Sequence, residues 1–107
     1  MKVVYSYQAK QDLQDIYLYI LEELQAPGSA KHVVESIMAA VKSLDSAPER
    51  YPRYRTEPWH SHGMRFVPVQ NNLVFYVIQN ENETVSILRI MYRGRNIAEQ
   101  LDSLTLQ

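Results

Sequence analysis

At 107 residues the chain is long enough for one hydrophobic core and too short for two, which predicts a single domain spanning residues 1–107. Its 46% hydrophobic and 21% charged residues, with a net charge of −1, suit a folded globular protein and exclude a disordered one. The longest apolar run, Leu73–Ile78, is far below the roughly 18 residues of a membrane span, no signal-peptide pattern opens the chain and cysteine is absent, so a cytoplasmic protein without disulfides or thiolate chemistry is expected.

Val3-Val4-Tyr5-Ser6-Tyr7 is rich in β-branched and aromatic residues and predicts a first strand. Ala9, Leu13, Ile16, Tyr17, Ile20, Leu21 and Leu24 then recur at three- and four-residue spacing, the stripe of an amphipathic helix that ends at Ala26-Pro27-Gly28. Ser29 is the expected N-cap of a second helix, whose stripe is Ala30, Val33, Val34, Ile37, Met38, Val41 and Leu44 and which stops at Ser46-Ala47-Pro48. The methionine and aromatic positions on both stripes are read as core.

Residues Ala47 to Gly63, with Pro48, Pro52 and Pro58 and little apolar periodicity, form a loop too long for a routine connector. Prolines together with Tyr51, Tyr54 and Trp59 predict an ordered surface loop that presents Arg50, Arg53, Arg55, His60 and His62 beside the sheet. Rings interleaved with arginines stack on unpaired bases while the charges hold phosphates; alternatively, Tyr51 and Trp59 seal one end of the core. Three runs follow, Met64–Val69, Leu73–Gln79 and Thr84–Tyr92, separated by the polar segments Gln70-Asn71-Asn72 and Asn80-Glu81-Asn82-Glu83. They predict an antiparallel meander in which the last two strands are central and Pro68 pushes the first to an edge. Leu101, Leu104 and Leu106 suggest a short C-terminal helix or a tail on the sheet. The order βααβββ predicts an α+β fold, with a helix pair on one face of a mainly antiparallel four-stranded sheet and the other face at least partly open.

Charge is unevenly placed. All seven arginines lie between Arg50 and Arg95, while all four lysines lie in the first 42 residues. The arginine-bearing stretch has only three acids, Glu57, Glu81 and Glu83, a local balance of plus four that suits phosphate or an acidic partner. The other reading has arginines such as Arg65 and Arg89 leaving their strands to pair with helix carboxylates such as Asp12 or Asp15. His32, His60 and His62 are scattered, so neither a metal nor another cofactor is expected.

The succession of strand, two helices and proline-containing loop, then Gly63-Met64-Arg65-Phe66-Val67-Pro68-Val69, Val74-Phe75-Tyr76-Val77-Ile78 and Ile87-Leu88-Arg89-Ile90-Met91-Tyr92-Arg93-Gly94-Arg95, resembles the RelE/ParE superfamily of bacterial type II toxins over nearly the whole chain. The resemblance implies a cytosolic growth inhibitor silenced by a cognate antitoxin protein encoded beside it. It also implies one of two targets: members of the RelE branch cut mRNA on the ribosome, and members of the ParE branch block DNA gyrase. Metal-free RNA cleavage needs a base for the ribose 2′-hydroxyl, cations at the phosphate and an acid for the leaving oxygen. The candidates are Arg65 with Arg93 or Arg95 at the phosphate, Tyr92 as stacking group or proton donor, and His60, His62 or Glu57 as base. Arg50, Arg53, Arg55, Tyr54, Trp59 and Arg89 are candidates for binding RNA or a partner. The position of Tyr92 is often histidine in the family, and the loop lacks a lysine pair that some RelE members have. The near-neutral charge suits a protein target, and a member that binds only its antitoxin is a third possibility.

Overall fold

The structure, a computed structural model, describes residues 1–94 and 96–102. A short strand β1 (Lys2–Tyr5) leads into helix α1 (Tyr7–Leu18), which widens into a π-helical turn over Tyr19–Glu23, and then helix α2 (Pro27–Ser43). The loop follows, then β2 (Arg65–Val69), β3 (Asn72–Gln79), β4 (Thr84–Tyr92) and a five-residue helix α3 (Ile97–Leu101). The sheet order is β1-β4-β3-β2, with β2, β3 and β4 antiparallel and β1 parallel to β4. The α+β architecture, the central positions of β3 and β4 and the edge position of the strand holding Pro68 agree with the sequence reading.

Several boundaries differ from it. β1 stops at Tyr5 because Ser6 caps α1, its Oγ accepting the Ala9 N–H at 2.9 Å and donating to the Leu88 carbonyl at 2.9 Å. α2 starts at Pro27, not after a Ser29 cap, since proline at the first helical position loses no intrahelical bond. The stripes are also less buried than their spacing suggests: Met38 is 49% and Leu24 56% exposed, and Tyr17 lies at the surface. Met38 and Tyr17 line a cleft beside Tyr5 of β1, where the two-helix layer ends at the sheet edge.

Both faces of the sheet are covered. On one, α1 and α2 bury Ala9, Ile37, Val41 and Leu44 against Val74, Tyr76 and Ile87. On the other, the loop and α3 bring Trp59 and Leu101 onto Met64, Phe75 and Met91. The open second face expected from the element order is therefore filled, because a sheet whose central strands are apolar on both sides cannot leave one in water. Tyr54 joins this second core edge-on to Phe66 and Phe75, with ring centroids 5.9 and 5.4 Å away. Leu101 is fully buried, so the expected packing of the C-terminal segment is observed there; Leu104 and Leu106 lie outside the described residues.

Candidate functional site

β1 is shorter than β4, which leaves the second half of β4 without a strand on the side away from β3, and α1 covers it. The Asp12 carboxylate accepts the Ile90 N–H at 2.9 Å, standing in for a strand carbonyl, and receives a forked pair from Arg89, Nε at 2.7 Å and NH2 at 3.0 Å. A bulge at Leu88, between the pairs Phe75–Arg89 and Tyr76–Ile87, sets Arg89 at this edge. Arg89 also donates to the Gln100 carbonyl at 3.3 Å, so one guanidinium joins α1, β4 and α3. Asp12 and Arg89 are each only 6% exposed. Arg89 is thus paired with Asp12, as the second reading of its sequence position had it, and its fork is filled within the fold.

At the far end of the sheet a second group gathers. Arg65 starts β2 opposite Tyr76 and donates to the carbonyls of Tyr51 at 2.5 Å and Glu49 at 3.4 Å, pinning the start of the loop. The Tyr76 hydroxyl donates to the Pro48 carbonyl at 2.6 Å; burial raises its pKa to about 12, against the opposing pull of the Arg65 charge. The loop then runs along the outer edge of β2: Tyr54 N–H bonds the Met64 carbonyl at 2.8 Å and Phe66 N–H the Pro52 carbonyl at 3.3 Å. Between these bonds Arg53 sits directly opposite Arg65 in a non-hydrogen-bonded antiparallel pair, the kind in which side chains approach most closely. Arg50 lies over the Tyr51 ring, 5.0 Å from its centroid, and donates to Ser43 Oγ at 3.0 Å.

Arg53, Arg55, His60 and His62 are exposed, as the sequence predicts for this loop. Its rings are not. Trp59 is buried and Tyr54 half-buried in the second core, so both help to hold the loop and neither offers a face for a base. Glu57 accepts the Ser61 N–H at 2.8 Å and the Ser61 hydroxyl at 2.6 Å, and these bonds, with smaller help from His60 and His62, hold its carboxyl below the usual range. A carboxylate made less basic in this way is a poor match to the duty of general base at neutral pH.

Tyr92 and Arg93 lie elsewhere. Tyr92 is paired with Asn72 at the start of β3, whereas Arg65 is paired with Tyr76 in its middle. Four residues of strand separate those registers, about 13 Å, with two strand spacings or roughly 10 Å across. Arg93 N–H bonds the Asn71 carbonyl at 2.8 Å, which places it at the β2–β3 turn, and Tyr92 lies over Gly94, where a Cβ would come within 2.5 Å of its ring. The candidates therefore divide into a loop group around Arg65 and a separate pair, Tyr92 and Arg93; Arg95 lies outside the described residues. Among the described residues no group of three His, Asp or Glu side chains gathers as a metal site, and no helix is long and apolar enough to cross a membrane.

An apolar cleft beside β1 had no counterpart among the sequence candidates. It is lined by Tyr5, Leu13, Tyr17, Val34 and Met38 with Lys10 at its side, and the outer edge of β1 next to it has no strand partner among the described residues. Its sequence signal was the Met and Tyr positions that helical spacing assigned to the core.

The model of the ParE toxin of type II toxin–antitoxin systems matches residues 3–97. No curated protein sequence matches the chain significantly. Among solved structures, the chain is similar to one from the chromosomal ParDE toxin–antitoxin system of P. aeruginosa, with 23% identity and a TM-score of 0.70 over 86% of this chain and 95% of that one. It is also similar to a chain of the RelBE2 toxin–antitoxin complex from Mycobacterium tuberculosis, with 25% identity and a TM-score of 0.58 over 86% and 96%. The isolated E. coli RelE toxin shares the fold at 10% identity, with a TM-score of 0.62 over 94% of each chain. With the family model spanning nearly every described element and the same βααβββ order underneath, this chain belongs to the ParE family of type II toxins, within the RelE/ParE superfamily.

Proposed function

We propose that this toxin arrests growth by binding a protein, DNA gyrase, and not by cutting RNA. The observation that carries this reading is the spread of the candidate residues: Arg65 and Tyr92 lie four residues apart in register and two strands apart in the sheet. Cleavage requires a base, an acid and a phosphate-binding cation within reach of a single phosphate. The competing reading, ribosome-associated mRNA cleavage, draws on the positive loop and requires Arg65 and Tyr92 to converge on one phosphate. Purified toxin added to gyrase and relaxed plasmid is expected to block supercoiling. Unimpaired supercoiling together with new RNA ends in an in vitro translation reaction overturns the gyrase reading, and unimpaired growth on expression without any partner identifies a chain that only binds its antitoxin.

The silencing partner is an antitoxin, a role supported by the toxin–antitoxin complexes among the similar structures. Its segment docks in the cleft of Tyr5, Leu13, Tyr17, Val34 and Met38 and along the free edge of β1, where main-chain groups await a strand. Lys10 and Lys42 beside this surface suit a segment that alternates apolar and acidic residues. Co-purification with the product of the neighbouring gene tests the pairing, and Met38→Asp is expected to weaken it at least ten-fold while leaving the fold intact.

A further inference from the structure

Four arginines and two histidines occupy residues 49–65 against two carboxylates, Glu49 and Glu57; the remaining seven cationic and ten acidic residues leave the rest of the chain at −3. The ion pairs among the described residues are Lys31–Glu35 and Arg89–Asp12, so none of the loop arginines has a carboxylate within salt-bridge distance. Arg53 and Arg65 stand directly opposite each other in a close antiparallel pair, which sets two like charges at one sheet edge with a mild mutual repulsion. An anion lying between the two forks converts that repulsion into attraction. The loop is also held in place, by the Tyr54–Met64 and Phe66–Pro52 backbone bonds and by the burial of Trp59, so its charges are displayed by a shaped surface.

We infer that this loop, apart from whichever protein the toxin engages, is a docking surface for the phosphate backbone of a nucleic-acid double helix. A duplex fits better than a single strand because Tyr54 and Trp59 are turned into the second core, and the half-buried Tyr51 ring packs on the first core with Arg50 lying over it. Exposed arginines without base-stacking partners contact phosphates and read no sequence. Arg53, Arg55 and Arg65 form the contact, with Arg50 at its margin.

The test uses the full chain with labelled duplexes of DNA and of RNA, a single-stranded RNA of the same length, and an acidic peptide, titrated over a range of salt. Both duplexes are expected to bind, with log K falling against log salt at a slope of about 3, one for each phosphate contact. Arg53→Gln with Arg55→Gln is expected to weaken binding at least ten-fold and to flatten the slope by about 2, with an unchanged melting temperature. Lys2→Gln with Lys31→Gln, on other surfaces, is expected to leave binding unchanged. No duplex binding at low salt, an equal loss in the lysine variant, ten-fold tighter binding of the single strand, or tighter binding of the acidic peptide each overturns the inference. Because no arm contains gyrase, the result stands apart from the supercoiling assay.

Discussion

Arg89 and Arg53 carry the same guanidinium, yet the fold gives them opposite surroundings. Arg89 sits at the uncovered half of the β4 edge, buried with Asp12, its fork filled by a carboxylate and a carbonyl. Arg53 sits at the opposite edge of the sheet, exposed, with another arginine across from it and no acid within reach. Both edges needed covering, since unpaired strand edges invite association. One was covered by a helix that brought its own counter-charge, and the other by a loop that brought more positive charge. A guanidinium in a toxin of this family is therefore not by itself a mark of the working surface; its partner decides.

Removing the counter-charge should break this contrast most severely. Asp12→Ala strands a buried arginine and leaves the Ile90 N–H unmet, at an expected cost of about 3–5 kcal/mol in chemical denaturation, whereas Asp12→Leu with Arg89→Met should recover the part due to the stranded charge and not the part due to the Ile90 N–H. A loss below about 1 kcal/mol would show that the pair does not hold α1 to β4. Arg65→Gln removes a charged donor from the Tyr51 carbonyl at a half-buried site; about 1–2 kcal/mol and faster amide exchange at Tyr54 are expected. Tyr76→Phe leaves the Pro48 carbonyl unpaired, for about 1 kcal/mol. The Tyr76 phenol holds its proton more tightly folded than unfolded, so its contribution is complete below about pH 10 and is lost as the pH climbs toward about 12. The phenylalanine variant should show a shallower alkaline fall in melting temperature. Arg53→Gln with Arg55→Gln should change stability by less than about 0.5 kcal/mol, because neither side chain holds the fold.

How much of this was legible beforehand depends on the range of the forces involved. Period and turn chemistry exposed β3, β4 and both helices, since Val74, Tyr76 and Ile87 on one face and Ile37 and Val41 on the facing stripe obey local spacing. Local spacing does not reveal where a layer ends, which is why Met38 and Tyr17 were read as core although they overhang the β1 edge. Nor does it reveal that Ser6 is worth more as a helix cap than as a strand residue, or that a loop and α3 together cover the second face. The candidate site followed the same pattern. That the loop arginines would be exposed was readable from prolines and polarity, but their distance from Tyr92 depends on strand register. The pairing of Arg89 with Asp12 was one of two readings of the charge pattern, and choosing between them depends on the length of β1, four residues, which ends where Ser6 turns the chain into α1.

The central claim is that Arg65 and Tyr92, held four residues apart in register and two strands apart, do not form one nuclease centre. It is tested most directly in cells arrested by the toxin or by its Arg65→Gln, Tyr92→Phe variant, with RNA ends and DNA breaks mapped in the same samples. Intact mRNA and accumulating DNA breaks with the natural toxin are the predicted result. RNA cut at defined positions by the natural toxin, and left whole by the double variant, would contradict it.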